Sequence, residues 1–314
     1  MSRSTTDVLR RGLDSTLANW PLIAIRIAAS FLFVLIVIGS VIAAIIPVAV
    51  AAGLSSFDLK NAENPAEAVA AIVVGHWALI LYILAIISFL LVVLIAIHSF
   101  VEAGNARVFV DAEHATRGVA APSRDAFRAF SMDRWLKGGR ISWWSVFWIY
   151  NLVWGFGGLI LLIPLLLTIL AMFAASEPGP RVAIGCGGLV ISLVVAIPVM
   201  ILIGIWAQKA IAVCVARAAT ATASLKEGWD GIRADFGRHF AVAFIVFVVA
   251  FGGAMAISMF TMPMSMLRGS SGAPAFANIA FAPAQIVVSI AQGIFSSAVG
   301  LWFLASYVSL TEER

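Results

Sequence analysis

The chain of 314 residues is 62% hydrophobic and only 11% charged, with a mean hydropathy of +1.04. A soluble domain carries about 25% charged residues, so this composition excludes a water-soluble globular fold. The net charge of +4 and the pI near 9.4 are read as membrane topology and contact with anionic lipid, not as nucleic-acid binding.

A bilayer core about 30 Å thick needs roughly 20 apolar residues of helix, and six stretches of the sequence meet that length. Residues 5–20 come first, a short segment in which Leu9, Leu13, Leu17 and Trp20 recur at helical spacing and make one apolar stripe. The first span, 22–52, ends in Ala49-Val50-Ala51, small residues of the kind found at signal cleavage sites. Its apolar run is much longer than a signal h-region of about 7–15 residues, so a retained signal-anchor helix is expected. A polar loop, 53–67, leads to the second span, 69–99, which has His76 and Trp77 near one end and His98 near the other. The connection 101–140 is too short for an independent core. It contains Phe127, Phe130 and Trp135 among Arg124, Arg128, Arg134, Lys137 and Arg140. The third and fourth spans, 143–175 and 182–214, flank a Pro/Gly turn at 176–181. A second amphipathic segment follows, with Leu225, Trp229, Ile232, Phe236 and Phe240 on one face. The fifth span, 240–262, a Gly/Ser/Pro loop at 267–275 and the sixth span, 283–310, complete the chain. No stretch shows the alternation of about ten residues that marks an outer-membrane strand.

Basic residues set the orientation. With both termini cytoplasmic, 17 of the 20 Lys and Arg residues lie inside, and only Lys60, Arg181 and Arg268 lie outside. This positive-inside bias predicts a bacterial cytoplasmic membrane protein. Trp20, Trp135, Trp143, Trp144, Trp206 and Trp229 cluster at the same boundary, as indoles do at the headgroup level. Cys186 and Cys214 stand at opposite ends of the fourth span, about 42 Å apart along a helix. They are expected to be packing residues and not a disulfide.

The chain also repeats itself. Leu9-Arg10-Arg11-Gly12-Leu13-Asp14 aligns with Leu225-Lys226-Glu227-Gly228-Trp229-Asp230, and Trp20 with Phe236. The segment 123–130 (SRDAFRAF) aligns to the same region and pairs Phe127 with Trp229, while Arg107 pairs with Lys209. The expected fold is all-α. It is a single transmembrane domain over 1–314 with approximate repeats at 5–101, 119–215 and 220–310. Each repeat reads as a hairpin of spans preceded by an amphipathic cytoplasmic helix. The residues expected at the lipid interface are Leu9, Leu13, Trp20, Arg124, Phe127, Arg128, Trp135, Arg140, Leu225, Trp229, Arg233 and Phe236. Helices of this type float in the interface plane with basic residues toward the headgroups; the same stripe also suits a structural elbow packed under the bundle.

Candidate chemistry is sparse. Charge deep in a span is functional by default, but the apolar centres contain none. Arg26, His98, Glu102 and Lys209 all fall near a boundary, where long side chains snorkel. His98 and Glu102 share a helix face at i, i+4 and form, with Arg107, one possible polar cluster. Two groups make an incomplete metal shell, so an ion pair ending the helix is the expectation, with no metal and no cofactor. His114, beside Asp111 and Glu113, reads as solvated loop. The sequence lacks GxxxxGK[ST], HExxH and GxSxG. Gly155-Phe156-Gly157-Gly158 and Gly252-Gly253 read as helix-packing sites. Pro47, Pro164, Pro198 and Pro263 interrupt or end four spans. Asn151, Gln208, Gln285 and Gln292 are the polar groups available to line a cavity there or to bond across helices.

The segment 224–246 (SLKEGWDGIRADFGRHFAVAFIV), with the layout around it, resembles a group of bacterial six-helix membrane families. That group includes the membrane domain attached to some glycerophosphodiester phosphodiesterases. In it the phosphodiesterase activity belongs to a separate soluble barrel, so no catalytic residue carries over. The resemblance implies a non-enzymatic membrane module. The expected function is therefore a structural, organising or accessory component of a membrane-associated complex. Its partners would be anionic inner-leaflet lipids and a membrane protein or a second copy of the chain. The alternative is a transporter or lipid-handling protein with its site among proline-kinked helices.

Overall fold

A computed structural model describes residues 3–52, 77–119, 121–175, 177–260 and 275–313, with side chains at all of these except 44–52, 79–80, 178 and 275–282. The loop 53–67 with Lys60, His76, Pro263 and the stretch from Leu267 through Arg268 to Pro274 lie outside the described residues.

Every regular element among the described residues is helical. In chain order they are α1 (Thr5–Ala18), α2 (Pro21–Ala52), α3 (Trp77–Ala115), a 3₁₀ turn (Arg124–Phe127), α4 (Met132–Ala174), α5 (Pro178–Arg217), α6 (Ala221–Ala234), α7 (Phe236–Met259) and α8 (Ala275–Thr311). Six of these, α2, α3, α4, α5, α7 and α8, are long and apolar enough to cross a membrane. The chain is a multi-pass membrane protein. In hydrocarbon a helix satisfies its own backbone polar groups, and large apolar side chains can face outward at no cost. Leu166, Phe173, Val190, Val194 and Phe251 are all more than half exposed.

Polar residues set the helix boundaries. Ser4 caps α1 in a reciprocal box with Asp7, its Oγ accepting from the Asp7 amide at 3.1 Å. The hydrogen bonds from Ser4 hold the Asp7 carboxyl below its ordinary pKa. Ser131 caps α4 through the Arg134 amide. Pro178 opens α5 at the position where a missing N–H costs nothing. Ala218 ends α5 in the left-handed region at φ 50°.

Where the middle interfacial helix is expected, around Phe127, Phe130 and Trp135, the structure divides the segment in two. Residues 124–127 form a single 3₁₀ turn, and the helix begins only at Met132, from which it runs unbroken for 43 residues. Continuity follows from packing. Gly138 and Gly139 lie flat against α3, where side chains on them would meet Arg107 and Phe100. The segment 132–142 is therefore held in line with the span that follows. The prolines also fall inside continuous helices, Pro164 in α4, Pro198 in α5 and Pro283 in α8. Thr168 Oγ1 donates to the Pro164 carbonyl at 2.8 Å, the i to i−4 back-bond common for threonine in helices.

The chain divides into two compact units. Ala28–His98 forms one, carrying most of α2 and the first part of α3; within it the Phe33 and His98 rings lie 6.3 Å apart. The other comprises Met1–Ile27 and Ser99–Arg314. In this larger unit α4 and α5 run antiparallel, with Gly157 against Ile203, Gly188 against Thr168 and Gly185 against Met172. The pair α7 and α8 is antiparallel too, with Gly253 on Phe295 and the His239 and Tyr307 rings 5.9 Å apart. Burial concentrates at one end of this unit, where α1, α6, the start of α4 and the end of α8 gather around Phe109, Phe127, Ile211, Ile232, Leu304 and Tyr307. We call this the polar end.

Candidate functional site: buried ion pairs and helix clamps at the polar end

Three carboxylates organise the polar end: Glu113 on α3, and Glu312 and Glu313 just past the end of α8. Glu113 on α3 receives Arg11 Nη2 at 2.8 Å and Arg3 Nη1 at 3.0 Å, and its side chain is 2% exposed. Arg11 also donates to Thr116 Oγ at 2.6 Å and lies over the Phe127 ring at 5.0 Å. Arg3 continues the chain of contacts to Ser309 Oγ on α8 at 2.9 Å. Glu312 receives His114 and Arg117, each at 2.8 Å. Glu313 receives Arg238, whose second nitrogen donates to the Arg3 carbonyl at 2.8 Å. These contacts bind α1, α3, α7 and α8 to one another.

Deeper in the unit Glu102, 1% exposed, is ion-paired to Arg26 at 3.1 Å. The bare Gly300 on α8 makes room for this arginine; a Cβ there would lie 2.7 Å from Arg26 Nη1. Lys209 donates to Thr311 Oγ at 3.0 Å from a buried position. Charges this far from water persist only when paired or hydrogen-bonded.

A clamp appears twice. Trp206 on α5 donates its indole N–H to the Leu225 carbonyl at 2.9 Å, and one turn on, Ala210 packs against Gly228 of α6. Trp302 on α8 donates to the Leu9 carbonyl at 2.8 Å, and one turn on, Ser306 packs against Gly12 of α1. At the third place the partners are exchanged. Trp135, at the start of α4, fills the space left by Gly104 on α3 and donates to Asn105 Oδ1 at 3.0 Å. Asn19, fully buried at the end of α1, locks the 3₁₀ segment in place. Its amide donates to the Phe127 carbonyl, and its oxygen accepts from the amides of Ala129 and Phe130.

The sequence-derived candidates separate under this geometry. Of the possible polar cluster, Glu102 is bound to Arg26 and Arg107 to Asp111 at 3.0 Å. His114 lies within α3 and not in a loop. Asp14 pairs with Arg10 and Arg124, whereas Asp230 is exposed. Of the residues expected at the interface, Leu9, Phe127, Trp135 and Leu225 are buried, and Trp229 is half-buried with its ring 5.5 Å from Trp206. Leu13, Trp20, Arg124, Arg128, Arg140, Arg233 and Phe236 are exposed. Asn151 bonds within its own helix, to the Phe147 carbonyl. Cys186 and Cys214 are both free thiols. The organising roles of Arg26, Glu113, Asn19, Gly300 and Trp302 were not legible in the sequence, because each acts on a partner far along the chain, with no local spacing to signal it.

Three hollows among the described residues bear on the site. A cleft of about 600 Å³ lies between α1 and the 118–127 connection, lined by Arg3, Asp7, Arg10 and Asp14 among others. A second, of about 450 Å³, lies among Arg107, Asp133, Arg134, Lys137 and Val215. The third, also about 450 Å³, is an apolar groove between α5, α7 and α8. Among the described residues no group of three or more His, Cys, Asp or Glu is placed to hold a metal ion. Compared with protein-family models, curated proteins and solved structures, the chain matches none.

Proposed function

We propose that this protein is a non-enzymatic component of a bacterial cytoplasmic membrane, organising or assisting a membrane-associated complex. The observation that carries the reading is the use of the buried carboxylates. Glu102, Glu113 and Glu313 are each committed to an arginine, and Glu312 to Arg117 and His114. A general acid or base needs a group free to exchange a proton with substrate, whereas these act as struts between helices. The architecture in this reading is three hairpins of spans, each led by a helix at the inner face. The recurring indole clamp, with Leu9 and Gly12 standing where Leu225 and Gly228 stand, supports that repetition.

In this orientation the polar end faces the cytoplasm. Exposed Arg10, Arg124, Arg128, Arg140 and Arg233 then lie toward anionic headgroups. Exposed Trp20 and Phe236 sit at the boundary between headgroup and hydrocarbon. The firmly tied polar end is the surface offered to a partner protein or a second copy.

Gentle extraction of the tagged chain followed by native mass spectrometry tests the reading. The expected result is a stoichiometric protein partner or a homo-oligomer that dissociates when exposed polar-end arginines are replaced by glutamate. A stable lone chain in every mild detergent would overturn it.

A further inference from the structure

The apolar groove between α5, α7 and α8 lies within three membrane-spanning segments. Met200, Gly204, Val246, Phe247, Phe295 and Phe303 are among its walls. Its volume of about 450 Å³ falls in the range of small-ligand sites, about 300–1,000 Å³. In hydrocarbon the medium that reaches such a groove is the lipid acyl chain.

The end of the groove nearest the polar end has a different chemistry. Gln208 lies one helical turn beyond Gly204 on α5, and His239 lies one turn before Ala243 on α7. Residues at i and i+4 share a face, so both stand on the helix faces that wall the groove, one turn past its lining residues. His239 is 2% exposed, and its Nδ1 lies 2.8 Å from the Asp235 carbonyl oxygen, to which it donates. Its Nε2 is then an acceptor. That nitrogen and Gln208 Oε1 are both buried without a hydrogen-bond partner. Two orphaned acceptors at the head of an apolar groove match an amphiphile whose head group donates hydrogen bonds.

We propose that this groove is a specific lipid site. It holds one acyl chain of a membrane lipid whose head carries N–H or O–H donors for His239 and Gln208. The proposal goes beyond the organising role and stands apart from it, since lipid occupancy and protein partnership are read by different measurements.

Gly204 supplies a clean test. Nothing lies within 4 Å of where its Cβ would stand, so a phenylalanine there fills the groove without disturbing the helix packing. Gly252 on α7 is equally open and is not among the groove-lining residues, which makes Gly252→Phe the control. The full chain is reconstituted in vesicles of phosphatidylethanolamine and phosphatidylglycerol. A trace of phosphatidylethanolamine carries a photoactivatable group on its acyl chain, and adducts are mapped by mass spectrometry. Adducts are expected to concentrate on Met200, Phe247 and Phe295 over exposed Leu189 and Val190. They should fall about tenfold in Gly204→Phe, the loss of about 1.4 kcal/mol of binding, and stay unchanged in Gly252→Phe. The same probe with a choline head, which has no donor, should label the groove several-fold less. The double variant His239→Phe with Gln208→Leu should remove that difference. Labelling no denser in the groove than at Leu189, or indifferent to Gly204→Phe, overturns the site. Equal labelling by the two heads overturns the assignment of the acceptors.

Discussion

Glu113 accepts from two arginines of the N-terminal segment while standing 2% exposed on α3. Removing its charge strands Arg11, whose side chain is only 8% exposed. Breaking one partner of a buried ion pair costs about 3–5 kcal/mol, much of it for the charge left behind. Glu113→Ala is therefore expected to lower the thermal midpoint in detergent sharply. The double variant with Arg11→Met should recover most of that loss, because the stranded cation is gone. Equal melting of the wild type and the single variant would show that the pair is solvated. At this scale the sequence was least informative. It placed His98 and Glu102 on one helical face, and nothing in it pointed to Arg26, 76 positions away, as a partner of Glu102. Periodicity reports which residues share a face, and says nothing about what a second helix brings to it.

The short helices illustrate what an apolar stripe does and does not specify. The 3.6-residue spacing of Leu9, Leu13 and Leu17 forecast α1, and that of Leu225, Trp229 and Ile232 forecast α6; both exist, over Thr5–Ala18 and Ala221–Ala234. The stripe did not say which of its members would be buried. That is decided by glycine, since Gly12 and Gly228 allow backbone approach to Ser306 and Ala210. In the middle segment the aromatic residues of 123–130 suggested a helix, but Asn19 captures the backbone there as a turn and the helical role passes to 132–142. The indole clamps are testable at this level. Trp302→Phe keeps an aromatic ring, though a smaller one, and removes the hydrogen bond to Leu9, itself worth about 1 kcal/mol. It should increase hydrogen exchange across α1 while leaving α6 unchanged, and Trp206→Phe should do the reverse. Loosening of both helices by either variant would mean that the clamps act globally.

For the whole molecule, the proposed orientation makes a prediction that needs no purification. Arg128 and Arg233 are exposed, so Arg128→Cys and Arg233→Cys in a background without Cys186 and Cys214 present reactive thiols. In intact cells an impermeant maleimide is expected to leave both unlabelled and to modify both after permeabilisation. Labelling from outside would invert the topology and detach the basic surface from the inner leaflet. The two positions report on different connections, so agreement between them also checks that the number of spans separating them is even.

The sequence by itself determined that this chain is helical, crosses a membrane, and has six segments able to do so. Hydrocarbon imposes those properties on any chain one segment at a time, through length and apolarity alone. The tertiary structure alone decided which charges neutralise one another, which face of each short helix is hidden, and where a groove opens between α5, α7 and α8. Those outcomes depend on side chains from distant positions meeting at 3 to 6 Å, and no local pattern in a lipid-soluble sequence records such meetings.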